Sequence, residues 1–213
     1  MNDDEARRSY GEMHLARLKV FLDVVYAGLF LLILRELPSA EDLSWADQPW
    51  GLLKPLLFDD PVLLLRMFIG LGIILIYWNL NNRFLAPLVR SDTWHATLSL
   101  VQMVFVALFM YFAIEDPALA GGPSSPALQC VSLVLAGTLG LGAWAYAERA
   151  DLVRPELSRA QRRSIATGGL IEPLTALFNL PFAWVGPLVW TLGWVVIPLV
   201  LSRGLRWLRI TAG

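Results

Sequence analysis

Residues 173–202 read PLTALFNLPFAWVGPLVWTLGWVVIPLVLS, 30 positions without a charged side chain between Glu172 and Arg203. An uncharged, apolar stretch of 18 or more residues reads as membrane-crossing helix. About 20 residues cross the hydrocarbon, so the wider run 165–202 is too long for one helix. Gly186-Pro187 is the natural break within it, because proline removes a backbone donor and glycine relaxes the turn. A second uncharged run covers the 31 positions between Asp116 and Glu148.

Working outward from these runs, the pattern gives six spans at about 18–37, 61–80, 94–114, 127–147, 165–184 and 187–203, all in one domain. A four-span arrangement with a re-entrant last hairpin is the alternative. Composition agrees with the class: 56% of the 213 residues are hydrophobic and 16% charged, where soluble domains run nearer a quarter charged. The expected fold is therefore an all-α polytopic membrane protein. The single Cys130 excludes a disulfide scaffold. A net charge of −1 with no basic tract speaks against a nucleic-acid partner. A removable signal peptide is not expected, because the first apolar run ends in Arg35-Glu36 rather than at a small-residue cleavage site.

Charge orients the chain. Of the 17 Lys and Arg, 14 fall before or at the start of the first span, in the second-to-third and fourth-to-fifth loops, or after the last span. Lys54 alone lies in the opposite loops, with Arg35 and Arg66 in or beside spans. Cytoplasmic loops carry the excess of Lys and Arg, so both termini are expected in the cytoplasm and the chain in the cell's inner (plasma) membrane. The outer side carries Glu36, Glu41, Asp42, Asp47, Asp59, Asp60, Glu115 and Asp116, which either solvate loops or draw cations to the outer mouth. Arg outnumbers Lys 15 to 2, which suits contact with lipid phosphate.

Tryptophans fall where interfaces are expected: Trp45, Trp50 and Trp184 outside, Trp78, Trp94, Trp144 and Trp207 inside. The fourth span is rich in small residues, among them Ala136, Gly137, Gly140, Gly142, Ala143 and Ala147. Small faces let helices approach closely where lipid supplies no hydrophobic drive. It reads as a packing helix, within a protomer or between protomers.

No enzyme is visible. The two histidines, His14 and His95, have no Cys, Asp or Glu at metal-ligand spacing, and no cofactor or metal is implied. His95 reads as interfacial rather than as a proton relay. No phosphate loop, dinucleotide fingerprint or nucleophile elbow occurs. What remains are ionisable residues inside spans, which are expensive in lipid and so are functional candidates. Arg35, Glu36 and Arg66 lie near the outer surface and can snorkel. Glu172 precedes Pro173 and suits the first turn of a helix. Asp23 has Lys19 at i−4, yet an acid near the inner end of a packed span usually pairs with another helix. The second span ends Trp78-Asn79-Leu80-Asn81-Asn82-Arg83, and a cluster joining Asp23, Arg17 and these asparagines is the best constellation read from residues alone.

The segment Arg17-Leu-Lys-Val-Phe21-Leu22-Asp23 resembles the RxxxFSD motif that opens the first helix of the TMEM175 family, potassium channels without a pore loop. Leu31-Leu-Ile-Leu-Arg-Glu-Leu37 is similar to the end of that helix, at the right distance without a gap. The Trp78–Arg83 ending and the Arg90-Ser-Asp92 run are similar to the family as well. The likeness is specific over the first 115 residues and architectural after that.

The resemblance implies a homotetramer in which the first helix lines the pore. Arg17, Phe21, Asp23, Trp78 and Asn81 would position that helix. Gly28, Leu32 and Arg35, at i, i+4 and i+7, would face the pore; a small rotation would bring Leu29, Leu32 and Glu36 inward instead. Several positions depart from the family: the motif Ser is Leu22, a Thr position is Leu31, an Ile position is Gly28, a Leu position is Arg35, and a His position is Asn81. Potassium or another monovalent cation is the expected partner, with membrane lipid around the assembly. The rivals are a non-conducting membrane interaction protein and an anion pathway steered by Arg35.

Overall fold

The computed structural model describes residues 3–35, 61–115 and 122–211. Stretches 36–60 and 116–121, with Glu36, Trp45, Trp50, Lys54 and most of the acids expected on the outer side, lie outside the described residues, as does the side chain of Arg66. Among the described residues six helices follow in order: α1 (Asp3–Leu34), α2 (Pro61–Leu85), α3 (Thr93–Glu115), α4 (Ser124–Arg149), α5 (Arg159–Asn179) and α6 (Pro187–Thr211). A 3-10 turn, Leu180–Trp184, joins the last two. Three of these helices are long and apolar enough to cross a membrane, over Thr93–Ala113, Ser124–Arg149 and Pro187–Gly204. The architecture is all-helical and compatible with a membrane-embedded protein.

Helix starts follow local chemistry. Asp92 precedes α3 and its Oδ1 accepts from the backbone N–H of His95 at 2.9 Å, which satisfies a first-turn donor. Ser158 and Gln161 form a reciprocal capping box at the start of α5, with bonds of 3.2 and 2.9 Å. That cap sets the helix going at Arg159, so Glu172 lies well inside α5 and not in its first turn, which corrects the sequence expectation. α1 also reaches further than the apolar run suggests. Its polar start is helical from Asp3, and the Gly11 carbonyl accepts from the Ser91 N–H at 3.0 Å. At the same end the two loops are stitched together, Val89 N–H to Leu152 O and Arg154 N–H to Pro87 O, each 2.9 Å.

α4 is the central helix, packed on α3, α5 and the 3-10 turn. Its small residues Ala136, Gly137, Gly140, Ala143 and Ala147 are all buried within the protomer. A Cβ on Gly140 would sit 2.8 Å from Gln102 Nε2 of α3. On Gly137 it would sit 2.5 Å from Glu172 Oε2 and 2.7 Å from the Pro173 ring of α5. Trp144, placed at the inner interface from sequence, is instead buried at 2% exposure and packs its ring on Phe84, 5.9 Å between centroids. Trp94 and Trp184 are exposed. α6 begins just after Gly186, whose φ of 151° suits a residue without a side chain. Its Leu188, Leu192, Val195, Val196 and Leu199 are exposed, an apolar outer surface suited to lipid.

Gly137→Ala should destabilise the solubilised protein by about 1–3 kcal/mol, the usual cost of overpacking, read as a lower unfolding midpoint. Gly142→Ala is the control, since nothing lies within 4 Å of the added methyl. It should leave the midpoint unchanged or raise it slightly.

Candidate functional site

α1 packs on α2 and α3. Leu15, Leu18, Leu22, Tyr26, Leu29 and Ile33 recur at three- and four-residue steps and are buried against those helices. The opposite side carries Arg17, Phe21, Val24, Gly28, Leu31, Leu32 and Arg35, all exposed. Gly28, Leu32 and Arg35 thus lie along one open stripe together with Arg17 and Phe21. Leu29 is in the protomer's own core at 8% exposure, so the rotated face that includes Leu29 is not the one left open.

Asp23 sits at the edge between these two sides. Its partner is Trp78 of α2, whose indole Nε1–H donates to Asp23 Oδ1 at 2.9 Å. The cluster expected around Asp23 therefore forms with different members. Asn79 turns back on its own helix and donates to Leu75 O at 2.9 Å. Asn81 faces inward and donates to the Tyr26 hydroxyl at 2.5 Å. Trp78 and Asn81, three residues apart, share the side of α2 that meets α1, but each is taken by a different α1 side chain, Asp23 and Tyr26, while Asn79 turns away.

A second polar group fills the bundle interior. Tyr77, 1% exposed, places its hydroxyl 3.2 Å from the Leu133 carbonyl of α4 and against Oε1 of Glu172 of α5. Tyr26 and Asn81 form the adjoining pair, with Met103 Sδ 3.7 Å from Asn81 Nδ2. The group therefore draws on α1, α2, α3, α4 and α5. Sequence reasoning passed over both tyrosines. The available signal was that a phenol in the middle of an apolar span needs a hydrogen-bond partner.

At the end of the bundle holding the stitched loops, His95 is buried at 2% exposure rather than interfacial. Its Nδ1 lies 3.0 Å from Ser91 Oγ, and Asp92 Oδ2 accepts from the Tyr146 hydroxyl at 2.8 Å. These contacts tie the start of α3 to the end of α4. Among the described residues no three His, Cys, Asp or Glu side chains are grouped to hold a metal ion.

No protein-family model matches the chain, and no curated protein matches it.

The Asp23–Trp78 bond joins α1 to α2 at the edge of the open stripe. Asp23→Ala and Trp78→Phe should each lower stability, and a double-mutant cycle in detergent unfolding should give a coupling of about 0.5–1.5 kcal/mol. Asp23→Asn, which keeps the accepting oxygen, should cost less than Asp23→Ala.

Proposed function

We propose that the chain is a subunit of a cation channel, with potassium the first ion to test. In this reading six helices cross the membrane, both termini are cytoplasmic, and four copies surround a pore lined by α1. The observation that carries it is the open stripe of Phe21, Val24, Gly28, Leu32 and Arg35 on a helix whose other side is packed. A long stripe that is apolar over most of its length and has no cover among the described residues marks a surface that meets other copies or a narrow water path. The TMEM175-like residues Arg17, Phe21 and Asp23 lie on or beside the same stripe and support the same assignment.

Leu32 and Gly28 would then form an apolar constriction, and ions would be sorted by pore width and dewetting rather than by a ring of carbonyls. Asp23, held by Trp78, would set the rotation of α1 and keep Gly28 and Leu32 inward. Arg35 is exposed on the same side. In a tetramer it would place four positive charges at the outer mouth, where they oppose cation entry.

That position of Arg35 also favours a second reading, an anion pathway. The departures at Leu22, Gly28, Leu31 and Asn81 favour a third, a membrane interaction protein that no longer conducts.

Flux from liposomes under separate potassium, sodium and chloride gradients separates the three. A cation channel gives potassium flux above empty liposomes, and Arg35→Leu should raise it several-fold. Under the anion reading Arg35→Leu abolishes chloride flux instead. Folded, oligomeric protein that passes no ion sinks both conducting readings.

A further inference from the structure

Glu172 lies in the bundle with one oxygen, Oε2, inaccessible to solvent and without a hydrogen-bond partner. That oxygen points at Gly137 of α4, where the missing side chain leaves room for it. The other oxygen, Oε1, meets the Tyr77 hydroxyl, which also lies 3.2 Å from the Leu133 carbonyl oxygen. A phenol carries one proton, a carbonyl has none to give, and an ionised carboxylate has none either. Each contact has a hydrogen of its own when Glu172 supplies the second proton. Tyr77 then donates to Leu133 O, and the carboxyl O–H of Glu172 donates to Tyr77.

Among the described residues no counter-charge for an anion is placed beside Glu172. α1 presents the phenol of Tyr26 and α2 that of Tyr77, the titratable groups that interact with Glu172. α4 presents the Leu133 carbonyl and Gly137, and its Cys130 thiol is taken by the indole N–H of Trp190 at 3.4 Å. α6 offers no titratable side chain before Arg203. Arg83 reaches α5 at Gly168, 4.0 Å from where a Cβ there would sit, one turn before Glu172, and is itself exposed. An uncompensated anion among helices is what a low-dielectric interior disfavours most.

We propose that Glu172 is a proton-binding site inside the bundle, occupied whenever α2, α4 and α5 are packed as they are in this structure. Loss of the proton leaves Tyr77 with two acceptors for one hydrogen and Oε2 charged against Gly137. The anion is relieved only when α5 withdraws from α4 or water enters between them. Proton binding is thus linked to helix packing, and Tyr26 brings the buried side of α1 into the same group. This linkage requires no conduction along the exposed side of α1.

The test is an infrared difference spectrum between wild type and Glu172→Gln, both in lipid at neutral pH. The amide is shaped like the neutral acid, accepting at one end and donating at the other, so the variant should fold with an unchanged unfolding midpoint. Wild type should show the C=O stretch of an un-ionised carboxyl that the variant lacks. In Tyr77→Phe the same band should persist but shift, because the acid has lost its acceptor. A difference carrying only the bands of an ionised carboxylate overturns the proposal. So does a Glu172→Gln variant that no longer folds, since a site built for the neutral acid accepts its isostere.

Discussion

Close approach of α5 to α4 at Gly137 is the contact on which the rest of the bundle depends. Helices in lipid gain nothing from hiding apolar surface from water, so they hold together through tight packing and internally satisfied polar groups. Gly137 supplies both at once. The space left by its missing side chain admits the Pro173 ring and the Glu172 carboxyl together. The carboxyl then reaches Tyr77 of α2, and that residue touches the α4 backbone at Leu133. Gly140, one turn up the same side, receives Gln102 of α3 in the same way. A helix with larger residues at these two places would hold its neighbours off and strand their polar side chains.

This packing leaves α1 with two unlike sides. The inner side is a continuous apolar seam against α2 and α3, interrupted by Tyr26 and its bond from Asn81. Among the described residues the outer side is exposed at Arg17, Phe21, Val24, Gly28, Leu31, Leu32 and Arg35. Asp23 and Trp78 tie the two helices together at the boundary, so the rotation of α1 is set by a directional bond as well as by fit. The proposed conducting surface and the proposed proton site therefore lie on opposite sides of one helix, joined through Tyr26.

Legibility differed from residue to residue. The uncharged runs and the small residues of the fourth span are properties of composition and order, and composition reports the solvent a helix lives in. Asp23 was legible as an acid in need of a partner, but not the identity of that partner. Asn81 and Trp78 are three residues apart and both reach α1, yet they meet different residues of it, Tyr26 and Asp23, because which side chains face one another depends on how α2 is rotated and slid against α1. Glu172 looked like a first-turn acid because Pro173 follows it. The Ser158–Gln161 cap starts α5 at Arg159, several turns before the acid, and puts the acid in the interior.

By itself the sequence determined that the chain is helical and largely apolar, where it breaks near Gly186-Pro187, and which side of α4 is small. These follow from period, charge and side-chain volume along one chain, which neighbours do not alter. Only the tertiary structure decided that Leu29 faces inward while Gly28, Leu32 and Arg35 face out, and that Trp144 and His95 are buried. It alone brought Tyr26, Tyr77, Asn81 and Glu172 together. Each of those outcomes depends on how far one helix is rotated and slid against another, and that is set by the summed fit of many contacts rather than by any local run of residues.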